Sequence, residues 1–250
     1  MNKEQIDAYR AFAVEKLGFE FKDINLLITA LTHRSYVNEH KTFTTKHNER
    51  LEFLGDAVLE LVTSDFLYQN YDQPEGIMTS WRAALVNTEA NAAAGEALGY
   101  GPLVLLSKGE KNGSERARHV IMADCYEAII GAIYLDQGYK KAEDFIKKNS
   151  LIKIDDILES ESWRDSKSYL QELVQHLEGT TPEYVVMKEE GPDHDKTFTL
   201  GVYVRGSLKG TAIGHSKQEA QVKAAGEAIR RYKKEYPNEF AEHNRIAEKH

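Results

Sequence analysis

The 250 residues carry a net charge of −8 and 41% hydrophobic side chains, a globular composition with room for one large domain or two ordinary ones. The longest apolar runs, such as 128–135, are far too short to cross a bilayer. The opening Met1-Asn2-Lys3-Glu4-Gln5 has no apolar signal core, so a cytoplasmic protein without membrane association is expected. A lone Cys125 excludes an intrachain disulfide, and the acidic balance confines any polyanion-binding surface to a local basic patch.

In chain order, residues 1–150 read as helical. Asp23 is a predicted N-cap for a segment bearing Ile24, Leu26, Leu27, Ile28 and Leu31. From Asn48 to Tyr68, the residues Leu51, Leu54, Val58, Leu61, Val62 and Leu67 keep helical spacing. One further helix is expected over Met78–Leu98, ending at Gly99 before the break Tyr100-Gly101-Pro102. The segment Val120–Leu135 is apolar on most faces and predicts a central buried helix. Nothing before Ser150 alternates with period two long enough to be a strand.

The polar, acidic stretch 151–163 is read as a linker. Beyond it, a helix over Ser166–His176 precedes three segments rich in valine, threonine and aromatics: Tyr184–Glu190, Thr197–Val204 and Leu208–Ile213. A last helix runs from its N-cap Ser216 to Tyr232. The expected architecture is therefore multidomain: an all-α domain, 1–150, then a small α+β domain of order α-β-β-β-α, 164–234, and a polar tail, 235–250.

The chemistry lies in the run Asn48-Glu49-Arg50-Leu51-Glu52-Phe53-Leu54-Gly55-Asp56. On a helix Glu49, Glu52 and Asp56 fall at about 0°, 300° and 340°, inside roughly a 60° arc. Carboxylates crowded this way repel unless a cation lies between them. Asp124 and Glu127 repeat the pattern at i, i+3 between apolar neighbours, where an unpartnered carboxylate is costly; the competing reading is a solvated acidic face. An oxygen-only donor set, with no Cys or His at metal spacing, points to Mg²⁺ or Mn²⁺ and to phosphoryl chemistry. Gly-x-Ser-x-Gly, Walker, His-Glu-x-x-His and dinucleotide-binding motifs are all missing, so no small-molecule cofactor is expected.

Those residues resemble the bacterial ribonuclease III family. The run Asn48–Asp56 is similar to its signature helix, and Ala123-Asp124-Cys125-Tyr126-Glu127-Ala128 to its second acidic helix. Leu31-Thr32-His33-Arg34-Ser35-Tyr36, Pro74-Glu75-Gly76 and Ser107-Lys108-Gly109-Glu110 follow the family in order. The resemblance implies a dimeric, all-helical endonuclease domain that cuts both strands of double-stranded RNA and processes rRNA precursors and other structured RNAs. It leaves 5′-phosphate and 3′-hydroxyl ends with a short 3′ overhang. It implies metal binding by Glu52, Asp56, Asp124 and Glu127, with Asp56 and Glu127 catalytic. Glu49 and Glu75 join as catalytic acids that support the site or reach substrate from the partner. Phe53 matches a dimer contact, with a core aromatic as the alternative. For His33 a structural histidine is favoured over a base, and Arg82 and Lys108 are either RNA contacts or solvated charges.

The C-terminal region resembles a double-stranded-RNA-binding domain, which reads A-form shape through 2′-hydroxyls and phosphates. Its RNA-binding positions match Ser168, Gln171 and Glu172 on the first helix, His194 in the loop Gly191-Pro192-Asp193-His194, and Ser216 and Lys217 opening the second helix. The family's Lys-Lys-x-Ala-Lys run is here Lys217-Gln218-Glu219-Ala220-Gln221. Two phosphate-gripping lysines are glutamines, so a weaker grip is expected. A catalytically silent RNA-binding scaffold and a DNA nuclease are the rival functions. The retained acids argue against the first and the RNA-shape reader against the second.

Overall fold

The computed structural model describes residues 1–42, 46–160, 163, 165–192 and 196–239. They form two compact units, Met1–Trp163 and Arg164–His250. In the first, α1 (Lys3–Phe12), α2 (Ile24–Ala30) and α3 (Arg34–Glu39) lead into the long α4 (Glu49–Asn70). There follow α5 (Glu75–Val86), α6 (Thr88–Leu98), the short α7 (Lys108–Lys111), a second long helix α8 (Glu115–Gln137), α9 (Tyr139–Asn149) and α10 (Ile154–Ser160). Asp23 caps α2 as expected, its carboxylate accepting from the Asn25 amide at 3.0 Å. The only β pairing described in this unit is an isolated bridge between Thr32 and Leu105.

α4 and α8 form the spine. Leu59, Leu67, Ile129, Ile130 and Ile133 are completely buried around them. Two glycines set how closely the spine helices cross. A Cβ on Gly55 would lie 1.7 Å from the Glu127 carbonyl oxygen, and one on Gly131 2.3 Å from that of Leu51. Ordinary helix pairs lie 8–10 Å apart because side chains intervene. Here backbone rests on backbone, and the acids of both helices meet where it does.

Two readings of this unit need correction. The single helix expected over Met78–Leu98 is two, α5 and α6. Asn87, at φ −71° and ψ 166°, leaves the helical region and its side chain accepts from the Ala90 amide at 2.8 Å. Hydrophobic periodicity runs through this junction unbroken, whereas the N-cap preference of asparagine stops the helix there. The stretch read as a linker, 151–163, belongs to the helical unit instead. Leu151 and Ile154 are buried in its core, and Trp163 packs edge-on against Trp81 with ring centroids 5.9 Å apart. Apolar residues scattered among acids gave this segment a polar average although one side of it is core.

In the second unit α11 (Ser166–Glu178) precedes the antiparallel strands β1 (Glu183–Glu190), β2 (Thr197–Val204) and β3 (Ser207–Gly214), in spatial order β1-β2-β3, and α12 (Lys217–Glu235) closes it. The β2–β3 hairpin turns through Arg205 and Gly206, with φ of 49° and 76°. Two consecutive left-handed residues match the twist of the flanking strands. Val202 and Val204 point from β2 into a core shared with Leu170, Leu173 and Val174 of α11 and Ala224, Ala225, Ala228 and Tyr232 of α12. The α-β-β-β-α order read from sequence is the one observed. Of the tail, residues 240–250 lie outside the described residues.

Candidate metal centre and nucleic-acid interface

Each acid of the signature run sits where the spine helices touch. Glu52 is half-buried and Asp56 exposed on α4, while Asp124 and Glu127 are half-buried on α8 among the fully buried Cys125, Tyr126 and Ala128. The Gly55–Glu127 backbone contact brings the two pairs face to face. Electrostatics register this proximity. Burial pushes the Glu52 carboxyl up to about 7, helped by Asp124, Glu49 and Asp56. Burial likewise pushes Glu127 up to about 7, with Asp56 adding to the rise, Asn91 opposing it by a hydrogen bond, and Glu52 and Asp124 contributing further. Asp124 is raised by burial and by Glu49, and Asp56 by burial and by Glu60. Four carboxyls whose ionisation is opposed by burial and by neighbouring acids are a donor set suited to a hard divalent cation, which would relieve both the desolvation and the repulsion. Among the described residues no three His, Cys, Asp or Glu side chains already stand together as a metal cage.

A cleft of about 590 Å³ opens beside these acids, lined among others by Glu49, Glu52, Asp124, His33, Arg34 and Arg116. The guanidinium of Arg34 lies 3.6 Å from Glu49, and His47 3.7 Å from its other oxygen. The cleft thus offers cationic groups for phosphate next to the acids that would hold a cation. His33 caps α3, its Nδ1 accepting from the Ser35 amide at 3.3 Å, and burial lowers its pKa. Glu75 does not join the acids within the chain. At the start of α5 it accepts from Thr79 at 3.0 Å and lines a different pocket with Leu61, Tyr68, Met78 and Arg82. Arg82 donates to Ser64 there at 3.0 Å, and Lys108 is an exposed α7 residue whose amide donates to Glu39. Phe53 is 81% exposed, which excludes the core alternative within one chain. Two participants escape the sequence reading. Arg116 stands in an unremarkable polar stretch. Asn91, in an alanine-rich run, shows only as a poor helix former inside a helix.

In the α-β-β-β-α unit, Ser168, Gln171 and Glu172 share the exposed side of α11, while Tyr169, Leu170, Leu173 and Val174 face the core. Ser216 caps α12, its hydroxyl accepting from the Glu219 amide at 3.1 Å. Lys217, next to it, lies 3.0 Å from Glu189 and over the Phe198 ring. Gln221 accepts from Lys167 of α11 at 2.8 Å, so a lysine from the neighbouring helix stands beside this position. His194 lies outside the described residues.

Residues 23–154 match the family model described as ribonuclease-III-like, and residues 166–232 the double-stranded RNA binding motif. The chain is 45% identical to Ribonuclease 3 of Pelotomaculum thermopropionicum over 215 residues, covering 86% of this chain and 89% of that protein. It is 43% identical to Ribonuclease 3 of Bacillus cereus over 230 residues, covering 92% and 93%. Among solved structures, the nuclease domain of ribonuclease III from Campylobacter jejuni is 40% identical over 59% of this chain and 98% of that one, with a TM-score of 0.49. Matched in each unit, and along most of the length of proteins identical to it at over two-fifths of the aligned positions, the chain belongs to the ribonuclease III family.

Proposed function

We propose that the chain is a divalent-metal-dependent endoribonuclease that hydrolyses phosphodiester bonds of double-stranded RNA. One observation carries the reading: the glycine-lined crossing of α4 and α8 sets Glu52 and Asp56 against Asp124 and Glu127 with raised carboxyl pKa values. These four residues would hold the cation, with Mg²⁺ the working ion and Mn²⁺ a substitute. A bound divalent ion polarises the phosphate and makes its water more acidic. The chain's own groups do the rest. Arg34 and Arg116 attract the phosphates, and Glu49 is held between Arg34 and His47. The ends formed are 5′-phosphate and 3′-hydroxyl with a short 3′ overhang, and the substrates are rRNA precursors and other structured RNAs in the cytoplasm.

Cutting both strands needs two such centres, and a homodimer supplies them. Phe53, Leu61 and Tyr68, which are 81%, 57% and 74% exposed along α4, support an apolar contact with a second copy. Glu75 then acts from the partner's side, which accounts for its separation from the other acids. The C-terminal unit grips the duplex through Ser168, Gln171, Glu172, His194, Ser216 and Lys217. A silent scaffold is disfavoured because the acids are retained.

The test is cleavage of a long RNA duplex with end mapping, with Mg²⁺ and with chelator. Cutting that requires metal and leaves recessed 5′-phosphate ends is expected; intact duplex across a wide salt range sinks the enzyme reading. A second prediction concerns grip. Restoring lysines by Gln218→Lys with Gln221→Lys should steepen the salt dependence of duplex binding, each new phosphate contact adding about 0.9 to the log–log slope on the B-DNA scale. Filter binding in Ca²⁺ between low and moderate salt reads it, and an unchanged slope means that these positions do not face phosphate.

A further inference from the structure

Asn91 belongs to none of the acidic motifs, yet among the described residues it is the uncharged side chain that hydrogen-bonds Glu127. It stands on α6, facing α8, and is 1% exposed. Its amide nitrogen donates to Glu127 Oε1 at 2.8 Å and to the Val86 carbonyl, the last of α5, at 3.1 Å. Both neighbours are acceptors, so the nitrogen must face them and the amide cannot be turned over. The other end of the amide, Oδ1, is buried without a protein partner. A buried unpaired amide oxygen costs about 1–3 kcal/mol. Leucine at this position would fill the space and remove the bare Oδ1, but it would also take the amide donor from Glu127 Oε1 and from the Val86 carbonyl.

We propose that Asn91 is a positioning residue for the cation site. It locks Glu127 Oε1 into a fixed rotamer by anchoring it to the end of α5, so that Oε2 is presented to the cation, and its Oδ1 is the acceptor left for a water of the hydrated ion. The inference rests on Glu127 being a ligand. It adds that α6, which supplies no acid to the centre, sets the affinity of that ligand. Partners that orient metal-binding groups through hydrogen bonds typically change affinity 10- to 100-fold when removed.

The experiment measures Mn²⁺ binding to the full-length protein by calorimetry, for wild type, Asn91→Leu, Asn91→Ala, Glu127→Gln and the double variant Asn91→Leu/Glu127→Gln. The Mn²⁺ dissociation constant should rise about 10- to 100-fold in either Asn91 variant, whereas the double variant should bind no more weakly than Glu127→Gln alone. Melting temperature in chelator reports any structural loss separately. Cleavage at saturating metal should recover most of its rate, so the defect lies in the metal concentration required and not in the maximal turnover. A folded Asn91→Leu with a dissociation constant within twofold of wild type overturns the proposal. If Glu127→Gln itself leaves Mn²⁺ binding unchanged, the ligand assignment fails first, and the two failures are told apart. Should neither Asn91 variant fold, the wild-type Asn91 side-chain amide resonance is followed during Mg²⁺ titration. A shift that saturates with the metal supports the role, and a resonance unmoved at saturation overturns it.

Discussion

Gly55→Ala is expected to cost the protein about 3 kcal/mol or more and to lower duplex-RNA cleavage roughly 100-fold in whatever fraction remains folded. The added methyl would lie 1.7 Å from the Glu127 carbonyl oxygen and 2.9 Å from the Gly131 nitrogen, both backbone atoms with no rotamer to escape through. The helices can only separate. Separation strips contact from the buried Leu59, Ile129 and Ile130 and pulls Glu52 and Asp56 away from Asp124 and Glu127. Gly131→Ala acts on the same crossing from the other helix, with its methyl 2.3 Å from the Leu51 carbonyl oxygen. Gly76→Ala is the control. Its Cβ meets nothing within 4 Å, so a helical alanine there should be neutral or stabilising by up to about 1 kcal/mol. Urea denaturation with parallel Mg²⁺ titration of cleavage reads all three. A Gly55→Ala protein as stable and as active as wild type would show that the crossing is not what assembles the acids.

The same glycine shows how far the sequence could be read. The order of helices and strands was legible because apolar residues kept period 3.6 on α4 and α8 and period 2 on β2. The acids were legible because their spacing put them on one helical face. The distance between the two acidic helices was not, since a glycine at position 55 looks like any other until the facing backbone is known. The break at Asn87 was hidden for a related reason: a cap is one local hydrogen bond, here to Ala90, and hydrophobic periodicity does not register it. The segment 151–163 was misjudged on average polarity, which cannot show that Leu151 and Ile154 turn the same way into the core. Glu75 gives a converse case. Its motif matches the family, yet within the chain it lines a pocket with Tyr68 and Arg82, apart from the other acids. Asn91 carried only the weak signal of a poor helix former within a helix, because what it touches is set by what α8 places opposite it.

Glu127→Gln should abolish cleavage, by at least about 1000-fold, equivalent to about 4 kcal/mol of lost transition-state stabilisation, while raising the melting temperature of the metal-free protein. The two effects have one cause. Glu52 and Glu127 have folded pKa values of about 7, above the ordinary 4.5 of a glutamate. A carboxyl whose folded pKa is raised favours folding fully below its unfolded pKa and loses that contribution as pH rises through the folded value. In chelator, therefore, stability should fall between about pH 4.5 and 7 as these acids are forced to ionise beside Asp56 and Asp124. A divalent cation reverses the sign, because it binds the ionised form and displaces the protons. The melting-temperature gap between Mg²⁺ and chelator should widen from pH 6 to pH 8, and the Mg²⁺ needed for half-maximal cleavage should fall over the same range. Glutamine at position 127 removes one charge from the cluster while its amide keeps a hydrogen-bonding group near Asn91, so the metal-free fall with pH should flatten as activity disappears. Thermal denaturation from pH 5.5 to 8.5, with Mg²⁺ or chelator, measures both slopes. A wild-type gap independent of pH would mean that these carboxyls do not share a cation, and the assignment of Glu52 and Glu127 as its ligands would have to be abandoned.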